Sequence, residues 1–168
     1  RIRAGMLGKG FPATDLTVSP QHRVLLRSRI AQRMFGQAEI LVAAKKLLQL
    51  PGIDVVEAGA GVEYWHFMMD RHEIVFSNGA PTESLLPGPE ALKTLPAEAL
   101  QEIYEIFPEL MDRAPDEAAQ TARLVPKGRQ IRKLTQRALL SGRPMIDTAT
   151  LALLAESPPA GEGPARLL

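Results

Sequence analysis

A pair of strand-like runs constrains the fold of this chain more than any other feature. Residues 62–69 form an apolar and aromatic run, and residues 72–76 form a second one that stops at Asn78-Gly79. Asn-Gly is a strong turn signal because both residues tolerate positive φ. The two runs therefore predict paired strands, which would bring His66 and His72 close together.

The rest of the first 86 residues carries short strand-like runs separated by glycine and proline. Thirteen glycines and fourteen prolines indicate a loop-rich chain, and an aromatic content of 5 % indicates a mainly aliphatic core. We expect strands over residues 1–5, 15–19, 22–26, 39–43 and 53–57. Residues 27–35 are predicted as a loop or a short helical turn, and residues 44–50 as a short helix or turn.

Beyond Pro87-Gly88-Pro89 the pattern changes from strands to helices. We expect helices over residues 90–95, 97–107, 116–124, 129–140 and 148–155. The basic helix over residues 129–140 is predicted to bury Ile131, Leu134 and Leu139. Residues 157–164, rich in proline and glycine, are predicted to be a mobile tail.

These patterns predict a fold that is mainly β with an appended α-helical C-terminal region. We expect a β domain over residues 1–86 and a helical extension packed on it over residues 87–110. A basic helical segment with the proline- and glycine-rich tail would occupy residues 111–168.

Charge is distributed unevenly along a chain whose net charge is +1. Residues 85–120 hold two basic and eight acidic residues, whereas residues 121–143 hold seven basic and no acidic ones. Such asymmetry can mark a nucleic-acid surface, but segments that pair with each other or stay solvated are the commoner cause. Because no aromatic residues interleave with the basic ones and no known motif is present, the sequence disfavours a nucleic-acid partner.

Two absences narrow the classes of function further. The chain has no cysteine, which excludes disulfides, thiolate metal sites and a cysteine nucleophile within it. No stretch reaches the roughly eighteen apolar residues of a membrane span, and no signal peptide is visible. We therefore expect no membrane partner, while a cytoplasmic location and secretion as part of a larger precursor both stay open.

The three histidines, His22, His66 and His72, are the candidate functional side chains. A histidine in a strand is more often a packed or solvated side chain than a catalytic one, since a neutral imidazole needs only one donor and one acceptor. Three imidazoles could also bind zinc, with a carboxylate or water completing the shell. Their spacing matches no recognised ligand pattern, so a metal site is an alternative interpretation and no cofactor is expected.

Two stretches resemble the Hint (hedgehog/intein) domain, in the form found in bacterial proteins outside the splicing inteins. Residues 15–26, DLTVSPQHRVLL, resemble the family's histidine motif, in which Ser or Thr stands three residues before a histidine, here Ser19 and His22. Residues 62–86 resemble its C-terminal blocks, namely an aromatic strand, a histidine strand and an Asn-Gly turn. The resemblance covers about residues 1–107 and implies the family's horseshoe-shaped β fold, incomplete at its N-terminus.

The resemblance implies self-processing. Hint domains cleave the peptide bond before their own first residue, a Cys or Ser whose side chain attacks the preceding carbonyl and converts the amide to an ester or thioester. His22 would shuttle the proton, Ser19 would bind the scissile peptide or orient His22, and His66 and His72 would assist from neighbouring strands. The implied partners are the upstream polypeptide of the same precursor and an acceptor nucleophile or water.

The chain departs from the family pattern at two places. Its first residue is Arg1 instead of Cys or Ser, so we expect a domain truncated at its N-terminus that would be active only within an intact parent. Glu83 and Ser84 stand where a splicing intein has His-Asn, and serine cannot form a succinimide. The sequence thus predicts N-terminal cleavage without C-terminal splicing. The alternative is a Hint scaffold that has lost the reaction and serves as an interaction module.

Overall fold

A four-stranded antiparallel sheet organises the fold. The computed structural model describes residues 1–57, 65, 67–86, 88, 92, 95–111, 120–147 and 166–167. The strands are β1 (Arg23–Arg27), β2 (Glu39–Ala43), β3 (Phe67–Met68), β4 (Ile74–Ser77), β5 (Ala80–Glu83) and β6 (Arg166–Leu167). The large sheet has the order β2-β1-β5-β4, and β3 pairs with β6 in a second, two-stranded sheet.

The hairpin between β4 and β5 follows from the Asn-Gly signal. Asn78 and Gly79 have φ angles of 48° and 77°, and Ser77 pairs with Ala80 directly across the turn. A two-residue turn with positive φ at both positions matches the right-handed twist of the flanking strands. The predicted turn is therefore confirmed.

The predicted pairing of residues 62–69 with residues 72–76 is wrong where the structure describes it. Phe67 and Met68 pair with β6, and the backbone carbonyl of Phe67 accepts from Leu85 at 2.6 Å. The hydrogen-bonded neighbour of β4 is instead β5, the strand that follows it, because the two-residue turn joins these two strands. The remainder of the run, apart from Trp65, lies outside the described residues.

Three helices accompany the sheet in the described part of the chain. They are α1 (Arg29–Phe35), α2 (Ala97–Ile106) and α3 (Gly128–Ser141), with 3₁₀ turns at Ala44–Lys46 and Pro108–Leu110. The Ser28 hydroxyl caps α1 by accepting from Ala31 at 3.1 Å, and Gly36 ends it in the left-handed conformation. None of these helices is long and apolar enough to cross a membrane.

The main core lies between one face of the sheet and helices α1 and α3. Val24 and Leu26 of β1 pack in one cluster with Ile131 and Leu134 of α3. Alternate residues of a strand share a face, which explains why β1 contributes every second side chain to this core. The predicted basic helix is confirmed, but its stripe is corrected at one position, because Leu139 is 47 % exposed and Ala138 is buried instead.

Three predicted strands are only single bridges. Ile2 pairs with both Leu16 and Ile53, and no longer ladder forms around these contacts in the described residues. The predicted helix over residues 116–124 is also wrong at its C-terminal end, where Leu124 is extended and bridges Ile40. The predicted helix over residues 148–155 and the tail over 157–164 lie outside the described residues.

The fold class is confirmed: the protein has a β-sheet-rich fold with an antiparallel sheet, joined by helices that include a C-terminal one.

A second apolar cluster forms where Ile103 of α2 packs with Met68 of β3, and Phe107 and Leu110 belong to the same cluster. Helix α3 contributes to the main core together with β1 and β2. The predicted division into three regions stays a prediction.

Candidate functional site

The large sheet is apolar on its core face and carries ion pairs on the other. Since Val24 and Leu26 point into the core, Arg23 and Arg27 point to the opposite face. Glu39 lies directly across from Arg27, and the antiparallel register of Val24 with Thr82 brings Glu83 opposite Arg23. We call this side of the sheet the ionic face.

A short turn places His22 at the start of β1. The Ser19 hydroxyl accepts a hydrogen bond from the backbone N–H of His22 at 3.3 Å, and the Ser19 carbonyl accepts from the same N–H at 3.2 Å. The carbonyl of His22 in turn accepts from Ala44 at 2.9 Å. These bonds fix the backbone of a half-buried histidine whose neighbour, Arg23, is the first residue of the sheet.

Glu83 is the centre of the network beside this turn. Its Oε1 accepts from the backbone N–H of Arg23 at 2.8 Å, and its Oε2 accepts from Nη1 of Arg23 at 2.7 Å. The backbone N–H of Arg23 belongs to the peptide that joins it to His22. A single carboxylate on β5 therefore fixes the peptide between His22 and Arg23, although Glu83 lies 60 residues from Arg23 in the sequence.

His72 is bonded through both ring nitrogens. Its Nδ1 accepts from the backbone N–H of Ala122 at 2.8 Å, so the ring proton is on Nε2, which lies 3.1 Å from Oε2 of Glu83 and donates to it. The imidazole is fully buried. With both nitrogens engaged, His72 links the segment around Ala122 to the sheet and has no free nitrogen for a metal ion.

The metal alternative gains no support from the part of the chain that the structure describes. There, no group of three or more His, Asp or Glu side chains is arranged to hold an ion. His66, which the three-histidine hypothesis requires, lies outside the described residues.

A second buried carboxylate, Glu39, binds two arginines. Nε of Arg27 donates to its Oε1 at 2.8 Å and Nη2 donates to the same oxygen, while Nε of Arg123 donates to its Oε2 at 2.5 Å. Arg123 comes from the segment that also supplies Ala122, so Glu39 binds that segment directly and Glu83 is linked to it through His72. This Glu39 centre fixes one end of β1, as Glu83 fixes the other.

Both carboxylates are held in their ionised form. Burial alone would raise the pKa of Glu83, but the hydrogen bond from His72 and the charge and hydrogen bonds of Arg23 outweigh it, so the pKa lies below its ordinary value of 4.5. Burial opposes ionisation of Glu39 as well, and the bonds from Arg123 and Arg27 again bring the pKa below 4.5. The ionic face is therefore fully charged near neutral pH.

A family model described as Hint domain matches residues 1–89, more than half of the 168-residue chain. The chain belongs to the Hint domain family. The resemblance seen in the sequence is thereby confirmed for the family, while the bacterial, non-splicing subgroup stays a prediction. Comparison with curated proteins found no match, and comparison with solved structures found none either.

The matched region contains all the predicted site residues, and the structure places three of them. Ser19 and His22 meet in one turn, and His72 meets Glu83. His66 lies outside the described residues, and the convergence of His22 with a second histidine stays a prediction. The Ser19–His22 turn and the Glu83 centre of the Hint domain therefore lie next to each other at the start of β1.

Sequence reasoning gave Glu83 no role, although it noted that this residue stands in the His-Asn position. The signal that could have found it is the register of the hairpin. A two-residue turn at Asn78-Gly79 pairs Ile74 with Glu83, which places Glu83 within the sheet. A buried acidic residue requires a basic partner, and here that partner is Arg23.

We expect the stability of the Hint domain to fall in acid, because the lowered pKa of Glu83 means that its stabilising contribution is present above about pH 4.5 and is lost as pH falls through the folded-state value. Urea unfolding between pH 7 and pH 3 measures this. Glu83→Gln should flatten the decline below pH 4.5, whereas the exposed control Glu98→Gln should leave the slope unchanged. Equal slopes in Glu83→Gln and the parent would contradict the assignment.

Proposed function

We propose that this Hint domain is a self-processing domain that cleaves the peptide bond preceding it, within a longer polypeptide that supplies a Cys or Ser nucleophile where the domain opens. The observation that carries the proposal is the Ser19–His22 turn, which Glu83 holds in place inside the region matched to the family. A general acid–base must be held close to the atom it serves, and the backbone of His22 is fixed by Ala44 in the 3₁₀ turn after β2 and, through the peptide to Arg23, by Glu83 of β5.

The proposed reaction begins with an acyl shift. The hydroxyl or thiol of the nucleophile attacks the preceding carbonyl carbon, the carbon–nitrogen bond breaks, and an ester or thioester forms. The departing nitrogen takes its proton from His22, which regains one from the nucleophile. Water or another nucleophile then attacks the ester carbonyl, which releases the upstream segment and restores the side chain of the nucleophile.

The proposed reaction does not include the asparagine cyclisation by which a splicing intein cleaves its C-terminal end. Ser84 occupies the place of the asparagine and has no carboxamide nitrogen to attack its own carbonyl. Its hydroxyl is buried and accepts from the backbone N–H of Glu73 at 2.9 Å, while its own N–H donates to the Glu73 carbonyl at 2.9 Å. These bonds support a structural role for Ser84 between β4 and β5.

One observation favours a second candidate, a Hint scaffold that has lost the reaction and binds a partner. Both ring nitrogens of His72 and both oxygens of Glu83 are engaged by groups of the protein itself. Groups that hold the fold together in this way are not available for proton transfer. The two candidates differ in whether the intact polypeptide cleaves itself.

Expression of the Hint domain with its natural upstream sequence tests the proposal. We expect a fragment that begins at the nucleophile to accumulate, and faster cleavage in hydroxylamine, which intercepts the ester as an upstream hydroxamate. Denaturing gels and intact-mass spectrometry identify the products, and the same polypeptide with alanine at the nucleophile is the control. A polypeptide that stays intact with and without hydroxylamine would replace the proposal by the interaction module.

A further inference from the structure

A small cavity on the ionic face has no part in the proposed self-processing. Its volume is about 170 Å³. Strand alternation and register place Leu25, Ile74, Phe76 and Pro81 on this side of the sheet, and all four line the cavity. Phe76 lies on β4, at the edge of the sheet, and is 68 % exposed. The cavity therefore offers an apolar surface that a ligand can reach.

The polar end of the cavity is formed by two arginines, Arg27 and Arg123. Arg27 lines the cavity and is only 9 % exposed. Its Nε and Nη2 donate to Glu39, whereas the buried Nη1 has no hydrogen-bond partner among the described residues. Nη1 of Arg27 has almost no accessible surface, so Arg27 contributes a buried positive charge to the wall and not a donor that a ligand can reach. The donor within reach belongs to Arg123, which lines the cavity and whose side chain is 43 % exposed. Nε of Arg123 donates to Glu39 and Nη1 to the Ala122 carbonyl, whereas Nη2 has no hydrogen-bond partner among the described residues, so an acceptor that enters the cavity would gain a charge-assisted hydrogen bond from it.

The charges around the cavity define the ligand. Arg27 and Arg123 contribute two positive charges, and Glu39 is the one acidic side chain among the described residues of the wall. The described residues of the wall therefore carry a net charge of +1, which complements a ligand with one negative charge. We infer that this cavity binds a small apolar carboxylate, whose oxygens accept from Arg123 beside the positive charge of Arg27 and whose apolar body packs on Phe76.

The volume limits the size of that ligand. In another protein, an apolar cavity of about 150 Å³ holds benzene. The cavity therefore suits one aromatic ring or one branched aliphatic group beside the carboxylate. The same chemistry belongs to a free aromatic acid and to the C-terminus of a peptide whose last residue is apolar.

Titration of the 168-residue chain with benzoate tests the inference, followed by NMR shifts or calorimetry at low salt. We expect a dissociation constant of about 10 mM or tighter. Benzamide has the same shape without the charge and should bind at least about tenfold more weakly. Phe76→Ala should weaken benzoate binding by about fivefold and Arg123→Gln by about tenfold, and both side chains are exposed enough for the fold to tolerate their loss.

Arg71→Gln is the matched control, because Arg71 is an exposed arginine outside the cavity wall, and it should leave benzoate binding unchanged. N-acetyl-Ala-Phe and its amide separate the two sources of carboxylate. Binding of benzoate alone supports a free acid as ligand, and binding of the acidic dipeptide as well supports a peptide C-terminus. Equal affinity for benzoate and benzamide, equal loss in Arg71→Gln and Arg123→Gln, or no saturable binding overturns the inference.

Discussion

Replacing His22 with alanine is expected to slow cleavage before the Hint domain by about 10²–10⁴-fold, the usual contribution of a positioned general acid–base. The acyl shift cannot finish until the departing nitrogen has been protonated. His22 sits in a turn whose backbone is bonded to Ser19, Ala44 and, through the next peptide, Glu83. The measurement is a time course of the longer polypeptide and its variant on a denaturing gel.

Ser84→Ala is the control for this result. Serine at this position cannot cyclise, so its loss should leave cleavage before the domain nearly unchanged, although it removes the bond to the Glu73 N–H. Equal rates in His22→Ala and the parent would refute the role given to His22. If Ser84→Ala were as slow as His22→Ala, loss of fold would explain both, and circular dichroism of the two variants separates that case.

The elements that could be predicted from the sequence are those that local signals specify. The sequence predicts β2 to the residue, because Ile40, Leu41 and Val42 form a short, apolar and β-rich run. Helix α2 follows Pro96, which is suited to a helix start, and its apolar residues recur at helical spacing. In α3 the buried stripe includes Ala138 instead of Leu139, because Ile131, Leu134 and Ala138 recur at positions i, i+3 and i+7 on one face of the helix.

What could not be predicted depends on contacts between distant residues. Glu83 binds Arg23 across 60 residues, and Arg123 binds Glu39 across 84. No periodicity indicates that the segment around Ala122 lies against the sheet, where the backbone N–H of Ala122 donates to a buried histidine. The family motif located His22 and Ser19, whereas the carboxylate that holds them became visible only once the strands were in register.

Glu39→Ala is expected to lower the free energy of unfolding by about 3–5 kcal/mol, the usual result of removing one member of a buried ion pair. The variant would leave Arg27 charged inside the protein, where water cannot replace the lost carboxylate. It would also release Arg123 and with it one of the bonds that hold the neighbouring segment to the sheet. Urea unfolding at pH 7 measures the change.

Two further variants show how much of the lost unfolding free energy comes from the unpaired charge of Arg27. Arg123→Ala should lower the free energy of unfolding by about 1 kcal/mol or less, since a half-exposed arginine can be replaced by water. The double variant Arg27→Met and Glu39→Met should be more stable than Glu39→Ala, because apolar side chains of similar volume remove the charge together with its partner. A double variant that is less stable than Glu39→Ala would show that the hydrogen bonds themselves, and not the unpaired arginine, determine the stability of this end of the sheet.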